Sequence, residues 1–186
     1  MFGADGHLYV SNQDPNTTDS AAITYYEGPT MKNPGTLKGV FPDGFITLRG
    51  LATDGSSWYV ADEGNSTTPG SVSILDAKGK KQSSFEVKQP VHLLYDGSRF
   101  LYIGSERDNA VYQYDTIGSA TKASLFIQSS KAVPIDHTGG LAISNGFFYV
   151  ASRVGQAINK YPLTDPTAGS VYASGLADNP EFIAFL

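Results

Sequence analysis

Two of the three histidines have surroundings that suit acid–base chemistry. His92 lies in the apolar run of residues 91–94, where the alternation of a strand places it on the face opposite Leu93. His137 follows Asp136, and a carboxylate can orient an imidazole and raise its pKa. His92 and His137 are therefore the candidate catalytic residues if the protein is an enzyme. The alternative for each is structural: a packed strand histidine and a solvated loop histidine.

Seven charged residues border the predicted strands at points where a ligand could be contacted. They are Arg49, Asp62, Glu63, Glu106, Arg107, Arg153 and Glu181. The densest cluster is the run Glu106-Arg107-Asp108. Its alternating charges are also typical of a solvated turn with weak ion pairs.

The composition excludes several classes of function. The chain has 13 Lys and Arg against 18 Asp and Glu, a formal net charge of −5, whereas a nucleic-acid surface needs a basic stripe. Cysteine is absent, so disulfides and thiolate metal sites are excluded. No apolar run approaches the roughly 18–20 residues of a membrane-spanning helix. The composition does not determine the cellular compartment. We favour an extracellular or periplasmic location.

The elements that would position these residues repeat four times along the chain. Four turn dipeptides each precede a run of aromatic and β-branched residues: Asp5-Gly6, Asp54-Gly55, Asp96-Gly97 and Asn145-Gly146. Such a dipeptide before such a run is a strong signal for a β-hairpin. One tyrosine aligns in each run, at Tyr9, Tyr59, Tyr102 and Tyr149.

Three further elements recur and complete a four-stranded repeat. The strand that follows each aromatic run covers residues 23–27, 72–76, 111–115 and 158–162. The strand after it covers residues 37–41, 83–87, 124–128 and 170–174. The strand before each following turn covers residues 49–52, 91–94, 139–142 and 181–184. Four linked strands per repeat of roughly 45 residues are typical of a β-propeller blade. A β-sandwich is the alternative, but a sandwich has no reason to repeat the same order of four strands.

The predicted fold class is therefore all-β, a β-propeller of four four-stranded blades forming one domain over residues 1–186. The repeats cover approximately residues 1–45, 46–89, 90–135 and 136–180, and residues 181–186 are predicted as a closing strand. Because the first repeat starts at the turn before its second strand, this closing strand would complete the first blade and remove an open edge. Two alternatives stay open: part of a larger propeller, and a half-ring that completes a larger ring as a homodimer.

The sequence of the second repeat contains a longer motif in two segments. The first is Arg49-Gly50-Leu51-Ala52-Thr53-Asp54-Gly55, and the second, two residues later, is Trp58-Tyr59-Val60-Ala61-Asp62-Glu63-Gly64-Asn65. This motif resembles the NHL and six-bladed-like propeller superfamily, including the regucalcin/gluconolactonase-like and virginiamycin B lyase-like groups. The position of the family's Asp is filled by Asn12, Asp62, Ser105 and Ser152, and that of its loop Asn by Asn16, Asn65, Asn109 and Gln156. Such side chains cap turns by bonding nearby backbone N–H groups.

The resemblance implies two different functions. Lyase-like relatives use channel histidines as acid and base, which would give His92 and His137 that role. Lactonase-like relatives hold a divalent metal on their inner strands, but here only Glu181 offers a carboxylate at those positions, which is too few for a hard cation. We therefore predict a non-enzymatic binding or scaffold module for a protein or carbohydrate ligand, without a cofactor. A lyase- or lactonase-type enzyme, with a divalent cation, is the alternative.

Overall fold

The protein is all-β in the computed structural model, which describes residues 1–12, 21–41 and 44–185. Within these ranges no helix is long and apolar enough to cross a membrane. The strands form four antiparallel sheets, one of three strands and three of four. In chain order they are β1 (Leu8–Asn12), β2 (Ala22–Tyr26), β3 (Leu37–Val40), β4 (Leu48–Thr53), β5 (Ser57–Asp62), β6 (Ser71–Asp76), β7 (Lys81–Glu86), β8 (Pro90–Tyr95), β9 (Phe100–Ser105), β10 (Ala110–Asp115), β11 (Ser124–Gln128), β12 (Thr138–Ser144), β13 (Phe147–Ser152), β14 (Ala157–Pro162) and β15 (Ser170–Ser174). Asn16 lies outside the described ranges.

The predicted turn dipeptides form the predicted turns. Their glycines all have positive φ, at Gly6, Gly55, Gly97 and Gly146. Glycine adopts this conformation without steric cost. At the second turn, the Asp54 carboxylate accepts hydrogen bonds from the N–H groups of Ser56 and Ser57 and from the Tyr59 hydroxyl. These local bonds explain why the chain reverses at this sequence.

The described chain forms two compact units, Met1–Val87 and Lys88–Leu186, and the first contains the sheets β1–β3 and β4–β7. Its core includes Tyr9, Ile23, Phe41, Phe45, Leu48, Trp58, Val60 and Leu75. The Tyr9 ring of β1 lies 4.1 Å from Trp58 of β5. Aromatic pairs at such distances stabilise a core beyond the area they bury. The two sheets are therefore joined through their second strands.

The second unit contains the sheets β8–β11 and β12–β15 and has a core of its own. That core includes Tyr102, Val111, Ile127, Val133, Ile135, Leu141, Phe148, Val150 and Tyr161. The Tyr102 ring of β9 lies 4.8 Å from Phe148 of β13 and 4.9 Å from Phe126 of β11. Aligned positions of the repeat thus make equivalent contacts in both units.

The prediction that residues 181–186 form a closing strand of the first sheet is wrong for residues 181–185; Leu186 lies outside the described ranges. Residues 181–185 belong to no strand. The edge of β1 is paired instead with the N-terminal residues, since Met1 and Tyr9 exchange two backbone hydrogen bonds of 2.8 Å. The C-terminal segment lies against β12, where a Cβ on Gly140 would come within 2.7 Å of the Phe182 Cα. The first sheet consequently has three strands.

The remaining strand predictions are confirmed. Every other predicted strand overlaps an observed one, and the segments predicted at residues 124–128 and 170–174 coincide with β11 and β15. The four-strand order of the repeat is confirmed in the second, third and fourth sheets. The boundary between the two units, after Val87, falls close to the predicted boundary between the second and third repeats.

Candidate functional site

The strand order gathers several predicted site residues at one end of the second unit. Pro90 at the start of β8 pairs with Ser105 at the end of β9, and Thr138 at the start of β12 pairs with Ser152 at the end of β13. The adjoining loops therefore meet at this end. We call the surface they form with the C-terminal segment the polar end; its members are Glu106, Arg107, Asn109, Asp136, His137, Arg153 and Glu181.

An arginine shared by two glutamates lies at the centre of the polar end. Arg153 donates from Nε to Oε1 of Glu181 at 2.8 Å, and its Nη1 forms an ion pair with Oε1 of Glu106. The Glu106 side chain is only 10% exposed, whereas that of Glu181 is 51% exposed. Two carboxylates and one guanidinium leave one excess negative charge. The half-exposed Glu181 carboxylate can therefore also accept a hydrogen bond from a ligand.

Asp136 and His137 form a second polar pair beside this cluster. His137 Nδ1 lies 2.8 Å from Asp136 Oδ1, and both side chains are about half exposed. The His137 backbone is left-handed, with φ of +56°, and its N–H donates to Asn109 Oδ1 at 2.9 Å. Gln89, at the same point before β8, also has positive φ. The left-handed backbone therefore recurs before β8 and β12 as a feature of the repeat. The imidazole of His137, next to the Asp136 carboxylate, is exposed to solvent.

His92 lies in β8 and is half-buried. Its ring makes an edge contact with Phe182, with 6.2 Å between the centroids. Burial lowers the pKa of His92, so the imidazole is neutral at neutral pH. In the part of the chain that the structure describes, no hydrogen bond or ring contact joins His92 to His137. The two predicted catalytic residues are therefore not in direct contact.

Three predicted site residues belong to the first unit. Asp62 is 8% exposed, and its carboxylate accepts hydrogen bonds from the N–H groups of Ile46, Thr47 and Gly64. Arg49 Nε lies 3.2 Å from Glu63 Oε2. The Asp62 carboxylate is thus occupied in holding the backbone before β4, and Arg49 and Glu63 form a partly exposed ion pair beside it.

Arg107 is the exposed cation of the polar end. The neighbouring Asp108 accepts hydrogen bonds from the Tyr112 hydroxyl at 2.7 Å and from Lys88 Nζ at 3.2 Å. Burial, with the hydrogen bond and the negative charge of Asp108, raises the pKa of Tyr112 to about 12. The phenol therefore remains a donor at neutral pH, and Asp108 is engaged within its own sheet.

Sequence reasoning identified Glu106, Arg153 and Glu181 separately but did not predict that they meet. Arg153 is 47 residues from Glu106 and 28 from Glu181, so the packing of two sheets and of the C-terminal segment brings them together. Asn109 was not predicted at the site, and its place at the family's loop Asn was the available signal. Among the described residues, no group of three or more His, Asp or Glu side chains is arranged to hold a metal ion.

No protein-family model and no curated protein matches the sequence, but the fold is similar to solved structures. The computationally designed Ika8 protein matches with a TM-score of 0.63 and 11% identity, over 98% of this chain and 50% of that one. A chain of a nidogen/laminin complex matches with a TM-score of 0.65 and 14% identity, over 95% of this chain and 64% of that one. A functionally unknown protein from Desulfotomaculum acetoxidans matches with a TM-score of 0.62 and 14% identity, over 95% and 59%. This chain thus spans between half and two thirds of these neighbours, and at such identities the likeness concerns the fold alone.

Proposed function

We propose that the four sheets are blades of a β-propeller that acts as a non-enzymatic binding or scaffold module for a protein or carbohydrate ligand. The observation that carries this proposal is that some charged side chains of the polar end are paired with each other whereas others are exposed. Arg153 holds Glu106 and Glu181 in place, whereas Arg107 and His137 stay exposed on adjoining loops. Exposed side chains on loops that a rigid scaffold positions are suited to contact a ligand.

The repeated packing supports the propeller arrangement. In each unit the second-strand tyrosine of one sheet contacts an aromatic ring in the second strand of the next, as Tyr9 does with Trp58 and Tyr102 with Phe148. A propeller is built by repeating one sheet-to-sheet contact around an axis. A β-sandwich would not require the same contact at aligned positions.

A protein is the ligand class that we place first. One of the similar folds belongs to a nidogen/laminin complex, in which that chain is seen together with a protein partner. The polar end also mixes both signs of charge over a short distance, as the rims of protein–protein interfaces do. A carbohydrate is the second class.

The lyase- or lactonase-type enzyme is supported by one specific contact. Asp136 lies 2.8 Å from the His137 imidazole, and such a carboxylate orients an imidazole that takes up a proton. In this alternative His137 would act as the general base.

A turnover assay separates these two functions. We expect no hydrolysis of gluconolactone above the buffer rate when the protein is assayed with Mn²⁺, Ca²⁺ or Zn²⁺. Saturable hydrolysis that His137→Ala abolishes would replace the binding module by the enzyme. His7→Ala is the matched control, because His7 Nδ1 also lies 3.0 Å from a carboxylate, that of Asp5.

A binding assay tests the location of the site. Labelled protein is applied to arrays of immobilised secreted-protein domains and of glycans. We expect Arg107→Glu to weaken binding about tenfold or more, because it reverses the exposed cation of the polar end. Lys122→Glu, an exposed cation in the loop between β10 and β11, should leave binding unchanged. Equal binding by both variants would move the site away from the polar end.

A further inference from the structure

One ring contact recurs wherever a sheet packs on the next sheet of its unit. Trp58 contacts Tyr9 and immediately precedes Tyr59. Phe148 contacts Tyr102 and immediately precedes Tyr149, with 4.8 Å between the centroids and 57° between the ring planes. In both cases the tyrosine in the second strand of one sheet contacts a ring of the following sheet. That ring belongs to the residue immediately before the equivalent tyrosine of the following sheet.

Tyr149, in the last sheet, makes the same contact although no described sheet of its unit follows. Its ring lies 4.8 Å from Phe185 with 55° between the planes, nearly the geometry of Tyr102 and Phe148. Tyr172 of the outer strand β15 lies 5.4 Å from Tyr149, as Phe126 of the outer strand β11 lies beside Tyr102. The Phe185 ring thus takes the place of a ring from a following sheet.

The segment that supplies Phe185 is irregular and partly exposed. Residues 181–185 form no strand, and Phe182 is 82% exposed and Phe185 48% exposed. The face beneath it is formed by Phe147, Tyr149, Lys160 and Tyr172, which we call the aromatic face. Lys160 Nζ lies 3.8 Å from the Phe147 ring centre, and Tyr172 is 61% exposed. Tyr149 is buried beneath Phe185, whereas Tyr172 extends the aromatic face to the surface, where an exposed ring can contact a partner.

We propose that the aromatic face docks the first sheet, β1–β3, of a second copy of this chain, with Leu8 of that copy in the place of Phe185. Leu8 immediately precedes Tyr9, so it has the register of Trp58 and Phe148. Since Tyr9 is buried in the core of the first unit, strand alternation puts Leu8 on the opposite face of β1.

That outer face of the first sheet is apolar across all three strands. Leu8 is opposite Tyr26, and Tyr26 is opposite Leu37, so the three side chains share one face. Val40 of β3 lies on the same face opposite Thr24, and Leu37 and Val40 are 54% and 56% exposed. In a dimer that exchanges these faces, each copy would contribute one first sheet and one aromatic face. The inference concerns assembly and can fail while ligand binding at the polar end stands.

Engineered cysteines test the contact directly, because the chain contains none. Leu8→Cys and Tyr172→Cys are prepared as separate proteins, mixed in equal amounts and oxidised. We expect a disulfide between the two chains, identified by mass spectrometry of the joined peptides, as the main product. Leu8→Cys mixed with Ile117→Cys, at a position 70% exposed between β10 and β11, should give little.

Two outcomes of this experiment would overturn the inference. One is a yield for the Tyr172 mixture no higher than for the Ile117 mixture. The other is an internal disulfide of monomer mass in the double variant Leu8→Cys/Tyr172→Cys, because the chain's own first sheet would then cover the aromatic face.

Sedimentation equilibrium provides a second test, because it measures the dissociation constant of the dimer. Phe185→Ala removes the ring that competes for the aromatic face, so we expect the dimer dissociation constant to fall at least tenfold below that of the parent protein. Phe182→Ala, which removes the neighbouring exposed ring, should leave it unchanged, and Tyr172→Asp should raise it. An unchanged dissociation constant for Phe185→Ala would contradict the inference.

Discussion

Side chains at the ends of the second strands hold the loops that carry the candidate site. In the first unit, Asp62 receives three backbone N–H groups. In the second unit, Ser105 Oγ donates to the Lys88 carbonyl at 2.6 Å, and Ser152 Oγ accepts from the Asp136 N–H at 2.8 Å. One position of the repeat therefore fixes the backbone before the first strand of its own sheet, whether it carries a carboxylate or a hydroxyl.

Asp62→Ala should destabilise the protein by about 2–3 kcal/mol, because three backbone donors lose their buried acceptor. The measurement is the free energy of unfolding in urea. Glu86→Ala, which removes an exposed carboxylate from β7, should change it by less than about 0.5 kcal/mol. A loss at Asp62 no larger than at Glu86 would show that the carboxylate does not hold this loop.

The turn aspartates link stability to pH. At Asp54 partial burial raises the pKa, but hydrogen bonds from the Tyr59 hydroxyl and from backbone N–H groups outweigh it and leave the pKa below its usual value. Asp96 shows the same balance, with burial opposed by the N–H groups of Arg99 and its neighbours. A carboxyl whose folded pKa is lowered stabilises the fold above its unfolded pKa of about 4, and this is lost as the pH falls through the folded value.

The double variant Asp54→Asn/Asp96→Asn keeps the turn acceptors but removes both titrations. Urea unfolding of the parent protein between about pH 5 and pH 2 should show a falling free energy of unfolding. The variant should lose less stability over the same interval. Equal slopes for the two proteins would exclude these aspartates as a source of acid sensitivity.

For single residues, the sequence predicted which charged side chains belong to the site but not which of them contact each other. Glu106 and Arg153 were identified because they follow second strands, and that order is local. Their ion pair depends on how two sheets pack, which no local pattern encodes. Asp136 and His137 are neighbours in sequence, and their side chains lie within hydrogen-bonding distance next to a left-handed backbone at His137.

At the element scale, strands with their own turn signals were predictable and the C-terminal segment was not. The Asp-Gly and Asn-Gly turns and the alternation of apolar residues identified the hairpins, because both signals act within a few residues. Residues 181–184 carry the same pattern as β4, β8 and β12. A strand also needs a partner edge, and the edge of β1 is already paired with Met1.

Gly140→Ala should detach the C-terminal segment from β12. A Cβ at this position would lie 2.7 Å from the Phe182 Cα and 2.9 Å from the Glu181 carbonyl oxygen, too close for either backbone to remain. Hydrogen exchange of residues 180–185 should become faster in this variant. Ser144→Ala, in the same strand, should leave the exchange unchanged, and similar exchange in both variants would refute the close approach of this segment.

At the scale of the whole molecule, the chain consists of two compact units, each with its own core. The sequence predicted a single domain of four repeats, since a repeat pattern carries no sign of which neighbouring sheets share a core. Each unit buries aromatic rings between two sheets, and such a core is the minimum for independent folding.

Residues 88–186 expressed alone should therefore fold. The expected result is a β-type circular dichroism spectrum and a single cooperative urea transition, with an m-value below that of the whole chain because less surface is exposed on unfolding. Absence of a cooperative transition would show that the second core needs the first unit.

We propose that the sheet-to-sheet contact seen in each unit builds a β-propeller when it is repeated between all four sheets. A crystal structure of the protein tests it most directly. We expect four sheets arranged around one axis, with β4, β8, β12 and residues 1–3 as the innermost segments of their sheets. Sheets stacked face to face as a sandwich, with these strands at separate edges, would contradict it.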